Sequence, residues 1–154
     1  EIGHITVMKG GPRCGCGNTG CAEALASGTA IMKRAKEAIE SKVETSLKNY
    51  EEVTAKEVFL EAEKGDKVSK DILNDALSYL GITISNIANS FDPDKIIIGG
   101  GVSEAGRIVF DKIDYEMERR CLKTIYNNCK IEKAVLGSKA GVLGAAALAI
   151  LESK

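Results

Sequence analysis

The sequence lacks any excess of one charge: 21 Lys and Arg against 22 Asp and Glu leave a formal net charge of -1. The two signs are mixed along the whole length, so no basic stripe offers itself to DNA, RNA or an anionic membrane, and nucleic-acid binding by this stretch is not expected. No apolar run approaches the roughly 20 residues that span a bilayer. The start, Glu1-Ile-Gly-His4, has neither the basic nor the apolar segment of an export signal, which makes the cytoplasm the expected compartment. Histidine occurs once and cysteine an odd five times. Cys14, Cys16 and Cys21 crowd into one short stretch while Cys121 and Cys129 stand far away, a poor disulfide framework and a good metal cluster for a reducing compartment.

What is present suffices for one real core: 154 residues, 44% apolar and 28% charged, with one domain as the default. The chain begins with Glu inside what reads as a strand, Ile2 to Met8, so it is expected to be a piece of something longer. A turn-rich loop from Lys9 to Gly20 follows, with five glycines. A helix is predicted from about Cys21 to Ile39, with Leu25, Met32, Ala35 and Ile39 on one face. Residues 40–53 are polar and without clear period, which suggests a surface loop or a frayed helix end. Thr54-Ala-Lys-Glu57 has capping-box form and opens a short helix through about Glu63 that ends at Gly65. Leu73, Leu77, Leu80, Ile84 and Ile87 place a long helix over about Asp66 to Ser90, stopped by Asp92-Pro93.

Lys95-Ile-Ile-Ile-Gly-Gly-Gly101 reads as a parallel strand buried on both faces and emerging into a glycine turn. Ser103 can cap a helix to about Leu122 that turns Phe110, Ile113, Met117 and Cys121 inward. A strand from Lys130 to Leu136 and an alanine-rich helix from about Ala140 to Leu151 complete the pattern. There is no repeat and no low-complexity segment. Helices alternating with few strands predict an α/β fold.

The chemistry concentrates near the start, in His4, Cys14-Gly-Cys16 and Cys21. Zinc takes four such ligands in a tetrahedron, and a Cys-x-Cys pair offers two thiolates when the backbone between them turns tightly. Cys21 falls at the predicted helix start, where free amides and the dipole are expected to lower its thiol pKa. Four protein ligands leave no open position, so the expected zinc is structural. It would fix His4 with its second ring nitrogen free to hydrogen-bond outside the site. The plainer reading is three buried thiols and a core histidine that happen to be neighbours.

Glu1-Ile-Gly-His4, then Gly10-Gly11-Pro-Arg-Cys14-Gly-Cys16-Gly-Asn18-Thr-Gly20-Cys21-Ala-Glu23-Ala-Leu-Ala-Ser27-Gly-Thr, resembles the signature of the ROK family (repressor, open reading frame, kinase), its glucokinases above all. The similarity extends through Gly99 to Gly101 and Gly141-Val-Leu-Gly144-Ala-Ala, nearly the whole chain. It implies an actin-like, ribonuclease-H-like ATPase fold, of which residues 1–154 would be a single C-terminal lobe with a zinc-binding loop, the N-terminal lobe being absent. It also implies transfer of the γ-phosphoryl of Mg-ATP to a hexose, glucose foremost, by a homodimer in carbohydrate metabolism, as in glycolysis. Within the zinc and sugar loop, residues 1–23, the resemblance assigns sugar hydroxyl contacts to Glu1, His4 and Glu23. Gly99, Gly100 and Gly101, in the turn spanning 95–104, would meet the adenosine of ATP. Each has a duller competitor: Glu23 could merely complement a helix dipole, and a glycine turn often only tightens a strand-to-helix connection.

The family's phosphate loops and catalytic Asp precede the Glu-x-Gly-His motif, so no residue here is assigned as catalyst and the piece alone is expected to be inactive. Asp71, Asp75, Asp92 and Asp94 read as solvated or capping groups. The rival from another class is the effector-binding portion of an ROK-type sugar-responsive repressor, which carries the same zinc signature. A third reading is a free-standing zinc-stabilised interaction module.

Overall fold

The computed structural model describes residues 1–152. Among these residues, seven α-helices and two strands follow in the order α1 (Ala22–Ala26), α2 (Gly28–Glu40), α3 (Ala55–Lys64), α4 (Lys67–Phe91), β1 (Lys95–Ile98), α5 (Arg107–Arg120), α6 (Lys123–Asn128), β2 (Lys130–Lys133) and α7 (Ala140–Glu152). The strands pair in parallel, Lys95 with Lys130 through Ile98 with Lys133, and α5 and α6 form the crossover between them.

The long helix α4 is the axle. Its apolar stripe serves two cores in succession, because a 25-residue helix is long enough to pack different partners on its two halves. Ile72, Leu73 and Ala76 join Ile31 and Ala35 of α2 and Val58 and Ala62 of α3. Leu77, Ile84 and Ala88 join Val109, Ile113 and Met117 of α5, with Ile96, Ile98 and Ile131 of the sheet packed alongside. Its ends obey the expected rules. The Asp66 carboxylate accepts from the Ser69 N–H at 2.7 Å, and Asp92 closes the helix in a left-handed conformation just before Pro93. The Thr54 capping box and the left-handed Gly65 bound α3 as expected.

Several expectations need correction. Ile2 to Met8 is not a strand: Ile2–His4 forms a 3-10 turn, and the segment pairs only at the single bridge Thr6 to Cys21. The predicted helix from Cys21 to Ile39 is broken at Ser27, which turns to extended backbone (ψ 160°) and whose Oγ accepts from the Ala30 N–H at 3.1 Å. Residues 40–53 are not all surface, since Leu47 and Val53 are buried in the first core. The strand β1 is covered on one face only, leaving Ile97 63% exposed, and β2 ends at Lys133. Ser103 caps no long helix; it lies in a 3-10 turn, Gly101–Ala105, where its hydroxyl donates to the Gly100 carbonyl at 2.7 Å, and α5 starts after Gly106. The apolar α7 buries none of its residues.

Glu61 pins the segment before α3. Its buried carboxylate accepts from Tyr50 Oη at 2.6 Å, Lys64 Nζ at 2.7 Å and the Ser46 hydroxyl. Lys64 first, then Ser46 and Tyr50, hold its pKa down from 4.5 to about 2. The carboxylate therefore stabilises the fold fully above about pH 4.5, and that contribution is lost as the pH falls towards 2. Urea midpoints of Glu61→Gln are expected to lie below wild type at pH 7 and to converge on it near pH 2.

Candidate metal centre

The site is built by backbone closure of residues 1–23. The amides of Val7 and Met8 donate to the Gly20 carbonyl at 2.8 and 3.2 Å, the Gly20 N–H donates to Pro12 O at 2.8 Å, and the Ala22 N–H donates to Ile5 O at 2.9 Å. A tight turn over Cys14 to Asn18 is closed by Gly17 N to Cys14 O at 3.0 Å and Cys14 N to Asn18 O at 2.8 Å. These bonds fold the first eight residues back over the start of α1. They carry His4 to Cys14, Cys16 and Cys21, whose ligand atoms and the imidazole nitrogen all lie within 4.8 Å of one another.

His4 Nδ1 stands 3.6 Å from Cys14 Sγ, and Cys16 Sγ stands 3.8 Å from Cys21 Sγ. Donors about 2.0–2.3 Å from a tetrahedral zinc are separated by about 3.5–3.8 Å, so both contacts have the length of tetrahedral edges. The donor set suits the same ion: three sulfurs and one imidazole, two of the thiols buried. The expected low pKa of Cys21 is reversed. Burial first, then the thiols of Cys16 and Cys14, push it up to about 12, and a five-residue helix offers little dipole against that desolvation. The exposed Cys16 moves the other way, held below the usual thiol value chiefly by the Asn18 backbone amide. A cation among these sulfurs would favour the thiolate at every one of them.

The other face of His4 looks outward. Its Nε2 lies 3.3 Å from the Glu1 carboxylate and 4.0 Å from that of Glu23. The three residues expected to meet sugar hydroxyls are thus gathered around one ring nitrogen, with Glu23 projecting from the first turn of α1. Of the three expected nucleotide glycines, Gly101 borders a cleft of about 610 Å³ walled by Met32, Ala55, Phe59, Val102 and Ala105, while Gly99 and Gly100 lie exposed beside it. Two supports escaped the sequence reading. Tyr79 Oη approaches Met8 Sδ at 3.3 Å and ties the loop to α4, and the Arg34 guanidinium donates to Leu25 O, bracing the break between α1 and α2. The first spans 71 residues and leaves no sequence signal; an arginine about two turns inside α2 is a signal only after the break is known.

The sequence profile of the ROK family matches residues 1–152. A glucokinase from Halalkalibacterium halodurans is 40% identical over 149 residues, which cover 94% of this chain and 45% of that protein. The DNA-binding transcriptional dual regulator NagC of Escherichia coli is 32% identical over 148 residues, 96% of this chain and 36% of the regulator. Among solved structures, the ROK hexokinase of Thermus thermophilus superimposes with a TM-score of 0.82 at 32% identity over 99% of this chain and 48% of its own. A ROK family glucokinase from Streptomyces griseus, solved with glucose and AMPPNP, gives 0.77 at 32% identity over 96% of this chain and 50% of its own. The chain spans less than half the length of these curated relatives.

Proposed function

The chain belongs to the ROK family and has the actin-like α/β fold of its kinases, and on that premise we propose that it serves an ATP-dependent hexose kinase of the glucokinase type. Its contribution would be the sugar contacts, a structural zinc and part of the adenosine site. The observation that carries this reading is the position of one ring: His4 joins the four-ligand cluster through Nδ1 and two carboxylates through Nε2. A zinc held by His4, Cys14, Cys16 and Cys21 would supply rigidity and charge, with no open coordination position. With Nδ1 taken up, Nε2 keeps its proton and donates to a sugar hydroxyl, while Glu1 and Glu23 accept from its neighbours.

The cleft beside Gly101 has the apolar walls that suit an adenine ring, and Mg-ATP is the proposed donor. The phosphate loops, magnesium ligands and catalytic base would lie in the part of the relatives that this chain does not cover. A homodimer and glucose as first substrate belong to the same proposal. The alternative is the effector-binding portion of a ROK-type repressor, favoured by regulators such as NagC that match the same stretch. The 40% identity to a glucokinase, against 32% to NagC, tips the balance towards the kinase.

The test uses the whole protein that contains this chain. Glucose-dependent ADP formation is expected, and Glu23→Gln should raise the KM for glucose by roughly tenfold or more, the worth of one hydrogen bond to a charged group. DNA binding that responds to a sugar, with no ATP turnover, would instead establish the repressor.

A further inference from the structure

Of the four metal-ligating side chains, Cys16 alone is exposed; Cys14 and Cys21 are buried and His4 is half-buried. The Sγ of Cys16 already lies 3.8 Å from that of Cys21. We propose that Cys16 and Cys21 are a redox modification site: a peroxide-class oxidant joins them in a reversible disulfide, expelling the bound ion and releasing His4 from its fixed orientation. The disulfide stands on the thiol geometry alone, whereas the loss of an ion rests on the zinc reading above.

The pairing follows from the loop. A disulfide needs its sulfurs about 2.05 Å apart, so the present gap has to close by less than the width of one atom. Cys21 is held at the start of α1 by the Thr6 bridge, while Cys16 sits in the exposed turn that links Cys14 to Asn18, with its sulfur beside that of Cys21. Cys14 is the weaker partner. Only one residue separates it from Cys16, and its sulfur faces the His4 ring at 3.6 Å. Cys121 and Cys129 belong to the second core, on the far half of α4.

The chemistry balances in two steps. The Cys16 sulfur attacks one peroxide oxygen, the O–O bond breaks, and a sulfenic acid and one water result. The Cys21 sulfur then displaces the hydroxyl, forming the S–S bond and a second water. Peroxide accepts two electrons, one from each sulfur. In the metal-free chain the thiols supply the two protons; with the ion in place they come from solvent as it leaves. Losing two of four ligands removes most of the binding energy of the site, so the His4 ring loses the ion that would fix it against Glu1 and Glu23, while the backbone bonds of the loop remain.

The experiment treats the reduced protein with hydrogen peroxide, with and without prior zinc loading. Free thiols, zinc captured by a chelating dye and the disulfide-linked peptides are then read. Two thiols should disappear per chain, the linked peptides should carry Cys16 and Cys21, about one zinc should be released per loaded chain, and dithiothreitol should reverse all three. Cys16→Ser should lose no thiol pair in the metal-free arm. Any linkage that includes Cys14, loss confined to Cys121 and Cys129, or no linkage at all overturns the assignment. A reduced protein that takes up no zinc defeats the zinc reading, while the metal-free arm still decides the disulfide.

Discussion

Gly81→Ala should lower the urea midpoint of unfolding sharply, even though alanine is the stronger helix former by about 1 kcal/mol. Gly81 is buried in the middle of α4, where a Cβ would stand 2.5 Å from Cβ and 2.7 Å from Cγ of Glu116 on α5. Ordinary carbon contacts fall at about 3.5–4.0 Å. The Glu116 stem cannot swing aside freely, because its buried carboxylate accepts from Arg120 Nε at 2.8 Å and lies 3.7 Å from Lys112 Nζ. The two helices must therefore separate, which overpacking studies put at about 1–3 kcal/mol or more. A net loss of about 2 kcal/mol corresponds to a fall of roughly 4–8 °C in Tm for a chain of this size. Glu116→Gly in the same background should recover part of that loss in a double-mutant cycle. A single variant as stable as wild type would mean that α4 and α5 do not approach this closely. The spacing matters beyond stability, since α4 carries Tyr79 against the metal loop and α5 follows the turn of Gly99 to Gly101.

The sequence made α4 legible at both ends and along its length because every local signal agreed: five apolar residues at helical spacing, Asp66 before it and Asp92-Pro93 after it. The gathering of His4, Cys14, Cys16 and Cys21 was legible for a related reason. Its ligands lie close in the chain, and the glycines between them admit few backbone paths other than a tight return. The break at Ser27 was hidden by alanines, whose helix propensity lets an apolar period run straight through it. Leu47 and Val53 looked like loop residues because what fixes them lies elsewhere, in Asp66 and Glu61, which bind the amide and hydroxyl of Ser46. The thiol of Cys21 failed for a physical reason of another kind. Its place at a helix start could be read, but its complete burial, which outweighs a short helix's dipole, is a property of packing. Likewise the apolar run of β1 promised a strand covered on two sides, and among the described residues it is covered on one.

Gly20→Ala should separate the proposed metal site from the fold. At φ +68° Gly20 occupies the left-handed region, and a Cβ there would run into the Met8 carbonyl, whose carbon would be only 2.8 Å away. That carbonyl already accepts from the Gly11 N–H at 3.1 Å, while Gly20 itself pairs with Val7, Met8 and Pro12 through its own backbone groups. One methyl group therefore pries the segment that carries His4 away from the one that carries Cys21. A tetrahedral ion tolerates little of this, because its affinity depends on all four donors meeting at one point, and disturbing the groups that orient ligands weakens binding by about 10- to 100-fold. A zinc competition titration should show a loss at the upper end of that range. Both apolar cores exclude the loop, so the helical content of the metal-free variant should match wild type by circular dichroism. Undiminished zinc affinity would show that the ligands do not depend on this closure. Loss of helix along with metal would show that the loop is a structural part of the cores, and neither follows from a site whose donors are placed by a few backbone bonds around a single glycine.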